Sequence, residues 1–338
     1  MLGVSLQFLA LATVVALAGT FLARSADQIA EITRLGRLLI GSVLLAAATS
    51  LPELTVDLSA VQQGMPDLAA GDLLGSSLMN LLILAVLDLA HHSGGKMLSR
   101  EAAAHALSAT LSIALTALVG MAILTAPRLV GGSFLGIGIW SWGLLVAYLL
   151  GVRMIFLDQR VSAHAAAEAA EPNDGGAIPV LTPLWKPVVV FSVTTIVLFL
   201  AGPRLAHVAG QLADLSGLGK TFVGTTLVAL CTSLPELVAS VTALRMKSFD
   251  LVIGTVFGSN AFNMILFVPL DAAHPGLLFA DISSSHAVTS FAVILATAVA
   301  VLGQLYHVEK RRRIVEPDAL LMLLILGGAL FLVYKLST

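Results

Sequence analysis

A single cysteine, Cys231, stands among 338 residues, which excludes an internal disulfide framework and any cysteine-built zinc site. Charge is scarce as well. Asp, Glu, Lys and Arg make up 11% of the chain, less than half of the roughly 25% usual in soluble domains. Eighteen basic against twenty acidic residues leave a net charge of −2, so there is no basic footprint for a nucleic acid. What fills the chain instead is apolar: 58% of residues are hydrophobic and the mean hydropathy is +0.97. Such a composition describes a polytopic membrane protein whose surroundings are the lipid bilayer.

Apolar runs of about 18 residues or more read as membrane helices. Ten can be placed, at 3–22, 38–63, 68–90, 102–126, 131–156, 186–206, 220–245, 249–272, 284–307 and 317–336. The first lacks the basic flank of a secretion signal and is read as a span. Alternate connections carry fourteen of the eighteen Lys and Arg residues, among them Arg34, Arg37, Arg160 and Lys310–Arg313. By the positive-inside rule this puts both termini outside and the polar 157–185 linker inside. That linker has room for a hinge or an interfacial helix, but not for a folded domain.

The chain repeats itself at an offset of 183 residues. GSVLLAAATSLPEL begins at Gly41 and GTTLVALCTSLPEL at Gly224. Between 41 and 91 there are 20 identities in 51 ungapped positions, including Thr-Ser, Pro-Glu and Gly-Ser pairs that apolar similarity does not generate. With five spans in each half, the second copy enters the membrane from the opposite side, the inverted-repeat architecture of many secondary transporters. The expected organisation is all-α: ten transmembrane helices as two inverted five-helix repeats, 1–156 and 186–338, with their repeated motifs at 36–92 and 219–275.

Glu53 and Glu236 lie roughly 15–20 Å from either surface at 1.5 Å per residue, close to the middle of the hydrocarbon. A carboxylate there costs at least about 2.5–3.5 kcal/mol and marks a functional site by default. Pro52 and Pro235 precede them and, lacking an N–H, release the carbonyls of Ala48 and Cys231 from helical bonding. Carbonyls, the hydroxyls of Thr49, Ser50, Thr232 and Ser233, and two carboxylates offer only oxygen, which suits hard cations such as Ca²⁺ and Na⁺. Ser76, Asn80, Ser259 and Asn263 add neutral oxygens from the following helices. Gly71, Gly75, Gly254 and Gly258 let those helices approach closely. A proline kink by itself is often only a bend, and glycine pairs often only pack helices; a duplicated, charged set is not explained that way.

Asp57, one turn after Glu53, and Asp72 are further candidates, although their repeat counterparts are Ser240 and Thr255. Otherwise they line water or pair with a basic residue. Asp67 and Asp250 read as turn or N-cap residues, and Asp88 and Asp271 as interfacial. His105, inside a span, reads as a hydrogen-bonded structural histidine rather than a proton relay.

On these residues the sequence resembles the cation/Ca²⁺ exchanger superfamily, in its compact prokaryotic sodium/calcium exchanger form. The family pattern is close to G-T-S-L-P-E followed by G-N-x-x-G-S-N-x-x-N/D. Here the segments read A-T-S-L-P-E with G-D-L-L-G-S-S-L-M-N, and C-T-S-L-P-E with G-T-V-F-G-S-N-A-F-N. The resemblance implies a core bundle with a sliding pair formed by the first and sixth helices. It also implies that Glu53 and Glu236 are the shared Ca²⁺/Na⁺ carboxylates, and that Thr49, Thr232 and the backbone near Ala46 and Ala229 supply oxygens. Ser50, Ser76, Ser233 and Ser259 then complete flanking Na⁺ sites, with Asn80 and Asn263 at the centre. Ala48, Cys231, Asp72, Ser77 and Thr255 depart from the pattern, and neutral Asn263 stands where many relatives are acidic.

The expected function is therefore secondary antiport of Ca²⁺ against Na⁺ by alternating access, with no enzymatic activity, no cofactor and no obligate protein partner. A prokaryotic cytoplasmic membrane is the expected location. A Ca²⁺/H⁺ or K⁺-assisted exchanger is the alternative. An intramembrane protease fits poorly, because Ala69-Ala70-Gly71-Asp72 is not G-x-G-D and no serine signature accompanies His105. A passive channel differs in needing no trans-ion.

Overall fold

The computed structural model describes residues 2–90, 102–127, 132–169, 183–215, 230–305 and 317–337. Apart from short turns and one small hairpin, these residues are helical. The long apolar runs form α1 (Leu2–Thr33), α2 (Arg37–Thr49), α3 (Leu51–Gln62), α4 (Pro66–Ala90), α5 (Ala102–Thr125) and α6 (Ile139–Ala169). After the linker come α7 (Trp185–Leu215), α8 (Leu234–Arg245), α9 (Phe249–Ala273), the short α10 (Leu278–Asp281), α11 (Ser285–Leu305) and α12 (Pro317–Ser337). Strands β1 (Ser133–Phe134) and β2 (Ile137–Gly138) pair antiparallel just before α6.

Among the described residues, seven helices are long and apolar enough to cross a membrane, and α2 with α3 makes an eighth. The expected stretch 220–245 begins outside the described residues and ends as α8, while 317–336 is helical as α12. Helix α6 continues to Ala169, so the first residues of the expected linker extend a helix instead of interrupting it.

The break between α2 and α3 follows from the sequence. The two helices meet at 44°, with Ser50 between them at φ −90°, ψ 3°. Pro52 then sits in the first turn of α3, where its missing N–H would have had no helical partner in any case. Ser233 and Pro235 begin α8 in the same way, with Ser233 at φ −83°, ψ 8°. Each short helix also ends alike. Gly64 and its counterpart Lys247 both take positive φ, and Met65 N–H and Ser248 N–H reach back to the Ala60 and Ala243 carbonyls at 3.0 Å. This is a Schellman ending, built once with glycine and once with lysine.

Burial separates centre from periphery. Helix α9 is 83% buried along its most apolar stretch, whereas α1, α6 and α7 are only 22–28% buried. The outer helices turn Leu6, Leu17, Phe21, Leu149, Leu150 and Ile196 outward, a surface suited to lipid. The core of α9 is reached through glycine. A Cβ on Gly254 would lie 2.7 Å from the Leu38 carbonyl, and one on Gly258 would collide with the Ser42 backbone. Facing them, Ile40–Leu45 winds as a π-turn. The sequence leads one to expect the same close approach at Gly71 and Gly75. There Gly71 meets only the His286 ring, and Gly75 has no neighbour within 4 Å among the described residues. The segment related by repeat to this π-turn falls within 216–229, outside those residues.

Helices α1 and α7 run against each other and lie across the two broken segments. Their contacts cross over between the halves. Gly19 of α1 rests on α8, with a Cβ position 3.5 Å from the Pro235 carbonyl, while its repeat counterpart Gly202 in α7 sits against Pro52. At the end of α1, Asp27 accepts from Arg37 Nε at 2.6 Å and from Ser248 Oγ at 2.8 Å.

Several acidic residues tie helices together instead of serving the roles expected of them. Asp67 accepts from the Ser283 N–H at 2.6 Å and lies 3.4 Å from His286 Nε2, so it is more than a turn residue. Asp250 is paired with His105 at 2.8 Å, which agrees with the structural reading of that histidine. Asp271, expected at the interface, is buried near the end of α9. It accepts from Gly138 N–H, Ser141 Oγ and Leu278 N–H at 2.6–2.9 Å, fixing the hairpin and α10 to the end of α9; Asp88 is buried too.

Gly258→Val should cost about 1–3 kcal/mol by overpacking the contact with Ser42. The check is thermal unfolding in detergent, with Gly327→Val as control, because a Cβ there meets nothing within 4 Å among the described residues.

Candidate cation-binding site

Each signature glutamate sits in the first turn of a helix that begins at a break. Glu53 follows Ser50 by three residues and Glu236 follows Ser233 by three. The unbonded N–H groups of a helix start favour negative charge there. Both side chains are sealed from solvent, at 1% and 2% exposure, so water cannot screen them.

The site draws on both halves of the chain. Ser50 Oγ lies 3.5 Å from Glu236 Oε1, at the limit of a hydrogen bond, and Glu53 and Glu236 are close enough to repel one another. Thr49 donates back to the carbonyls of Leu45 and Ala46 at 3.0 and 3.1 Å, and its oxygen is 3.4 Å from Ser259 Oγ. The Ala46 carbonyl accepts from Ser50 N–H at 3.1 Å as well, so two donors already occupy this expected ligand. Thr232 is buried beside the second break. Ala229 lies outside the described residues.

Where α4 crosses α9, Asn80 Nδ2 donates to Asn260 Oδ1 at 3.0 Å, and Asn260 Nδ2 donates to the Ser77 carbonyl at 3.1 Å. Asn260 is fully buried and is absent from the residues singled out by sequence. Its counterpart in the first repeat is Ser77, so it fell outside the matched set; the G-S-N run was the available signal.

Six oxygens from the expected site are buried with no hydrogen-bond donor among the described residues: Glu53 Oε2, Glu236 Oε2, Ser76 Oγ, Ser233 Oγ, Asn80 Oδ1 and Asn263 Oδ1. A buried polar atom without a partner costs about 1–3 kcal/mol, so six in one region call for a ligand that brings positive charge and no lone pairs. No ion pair from Lys, Arg or His reaches Glu53 or Glu236 among the described residues. Nor do three His, Cys, Asp or Glu side chains converge as a metal-binding group among them. The donor set is therefore two carboxylates supplemented by hydroxyl and amide oxygens, the chemistry of a hard cation. Asp57 is fully buried on α3 and meets Asp72 of α4, and both belong to the same group of neighbouring carboxyls as Glu53.

Comparison with known proteins identifies the family. The family described as sodium/calcium exchanger protein matches residues 4–157 and 186–335. CaxA of Alkalimonas amylolytica is 27% identical over 318 residues, covering 92% of each chain. Sodium/calcium exchanger MaX1 of Methanosarcina acetivorans is 45% identical over 74 residues, 20% of this chain and 21% of that one. The solved structure of the sodium-calcium exchanger NCX_Mj soaked with Na⁺ superposes with a TM-score of 0.70 at 19% identity, over 98% of this chain and 99% of the other; that likeness shows the fold. With nearly the whole length of both halves matched, the chain belongs to the sodium/calcium exchanger protein family.

Proposed function

We propose that this membrane transporter exchanges Ca²⁺ for Na⁺ by alternating access at a site between the two repeats. The observation that carries this reading is the pair of repeat-related glutamates, each at a helix break, surrounded by buried oxygens without donors. Ca²⁺ and Na⁺ both seek the same carboxylate oxygens, so they exclude each other. A site carrying two unneutralised charges resists being moved through the low-dielectric interior, whereas one Ca²⁺ or two Na⁺ cancel them.

In this reading ten spans form two inverted five-helix repeats, 1–156 and 186–338, joined by the 157–185 linker. Glu53 and Glu236 bind both ions. Thr49, Ser50, Ser76, Asn80, Thr232, Ser233, Ser259 and Asn263 supply neutral oxygens, with Ala46 and Ala229 contributing carbonyls when the backbone there is released. Helices α1 and α7 are the moving pair, since both are little embedded, pack on one another and between them touch both broken segments. No cofactor takes part. The location is a prokaryotic cytoplasmic membrane with both termini outside, as the distribution of Lys and Arg indicates.

Proteoliposomes loaded with Na⁺ should take up radiolabelled Ca²⁺ when the Na⁺ gradient points outward, and continue when any pH gradient is collapsed. Uptake driven only by an outward H⁺ gradient would keep the glutamates but replace the counter-ion; uptake indifferent to any trans-ion would indicate a channel. Glu53→Gln and Glu236→Gln should each lower exchange on the order of a hundredfold or more, since removing one member of a buried charged set costs roughly 3–5 kcal/mol. Wild-type rates in either folded variant contradict the assignment. Asn260→Ala deprives the buried Asn80 amide of its acceptor, at about 1–3 kcal/mol, and should lower both the unfolding temperature and Ca²⁺ affinity.

A further inference from the structure

Ser77 and Asn80 are three residues apart on α4, so they are neighbours on adjoining turns of one helix. A single side chain of α9 bridges them. Asn260, 0% exposed, donates from Nδ2 to the Ser77 carbonyl at 3.1 Å and accepts at Oδ1 from Asn80 Nδ2 at 3.0 Å.

The polarity of this chain of amides is set at its backbone end. A carbonyl oxygen can only accept, so Asn260 has to turn its NH₂ toward Ser77. That leaves its oxygen for Asn80, and Asn80 has to answer with its own NH₂. Reversing Asn260 would set its oxygen against the Ser77 carbonyl. Reversing Asn80 alone would set two amide oxygens against each other. One arrangement satisfies both contacts, and the backbone of α4 selects it.

With its NH₂ committed, Asn80 carries its oxygen on the other branch of the amide. That oxygen is buried and receives no hydrogen bond among the described residues. Ser76 stands one turn earlier on the same face of α4, and its Oγ is likewise buried without a donor. The repeat does not copy the device. Where α9 has Asn260, α4 has Ser77, and that hydroxyl donates to the Leu73 carbonyl at 2.9 Å. The two repeat-related asparagines, Asn80 and Asn263, are therefore held by different means.

We infer that Asn260 is a positioning residue for the cation: acting through Asn80, with the Ser77 carbonyl as its reference, it obliges Asn80 to offer the ion an oxygen and never an N–H. The inference rests on the proposed reading of Asn80 as an ion ligand. An amide free to turn spends part of its time with NH₂ toward the ion, and that end repels a cation. Fixing the amide beforehand removes the cost of ordering it when the ion arrives. The loss of Ca²⁺ affinity on removing Asn260 then runs through Asn80 alone.

The test is equilibrium binding of radiolabelled Ca²⁺ to the full chain in lipid nanodiscs without Na⁺, with thermal unfolding as the measure of fold. Asn260→Ala should raise the half-saturating Ca²⁺ about tenfold, equivalent to about 1.4 kcal/mol. In an Asn80→Ala background the same substitution should add nothing, because no amide remains to be oriented. In an Asn80→Asp background it should lower the half-saturating Ca²⁺. There either carboxylate oxygen can face the ion, and the other opposes the Asn260 oxygen until that residue is removed. Asn260→Ser, which leaves a smaller void, repeats the three comparisons should the alanine variant fail to fold. A void at the helix crossing would instead weaken binding by the same factor in all three backgrounds, and that result overturns the positioning role. Wild-type affinity in folded Asn260→Ala overturns it too. Asn80→Ala binding Ca²⁺ as tightly as the wild type defeats the ligand reading of Asn80 and the positioning role with it. Additive losses from Asn80→Ala and Asn260→Ala keep the ligand and defeat the positioning role alone.

Discussion

Carboxylate charge held out of water without a basic partner is the constraint on which this structure depends. A buried ion costs several kcal/mol unless it is matched, and no arginine or lysine pairs with Glu53 or Glu236 among the described residues. Each glutamate is placed where the backbone helps, at the start of a helix created by a break. The central helix α9 is packed tightly against α2 through Gly254 and Gly258. The Asn80–Asn260 pair holds the helix crossing beside the site with neutral groups, adding rigidity without adding charge. A fixed counter-charge would make the centre permanently satisfied. In the proposed function, withholding it leaves that role to a mobile ion, which is what a carrier requires.

The same preference for fixed pairing away from the centre appears at the helix ends. Asp67 with His286, Asp250 with His105, and Asp271 with its three donors all satisfy their charge inside the protein. The two histidines are not at repeat-related positions, yet each meets a repeat-related aspartate. Pairing at the periphery was rebuilt with different residues in each half, while the glutamates, prolines and serines at the centre kept theirs.

Which of these features could be read beforehand depends on the range of the interaction involved. The breaks at Ser50 and Ser233 were legible, because a proline acts on the backbone within one turn, whatever surrounds it. Asn260 was signalled only by its G-S-N run, since its importance comes from a helix crossing that places it against the backbone of Ser77, its own counterpart in the other repeat. The π-turn at Ile40–Leu45 has no local signature either; it is visible only once Gly254 and Gly258 are seen to admit that backbone. Asp57 and Asp72 stood out as charges, but nothing in their spacing alone showed that they face each other.

The crossed contacts of Gly19 and Gly202 have a consequence for how such a chain can be divided. Each glycine lies in one half and rests on the proline segment of the other. A half-length chain would carry a broken helix without its cover and a covering helix with nothing to cover. Two such halves, expressed as separate polypeptides, have complementary surfaces and a single way to satisfy both. The duplicated protein therefore has the connectivity of an exchanged dimer fused into one chain, and its linker keeps the partners together rather than creating the fit between them.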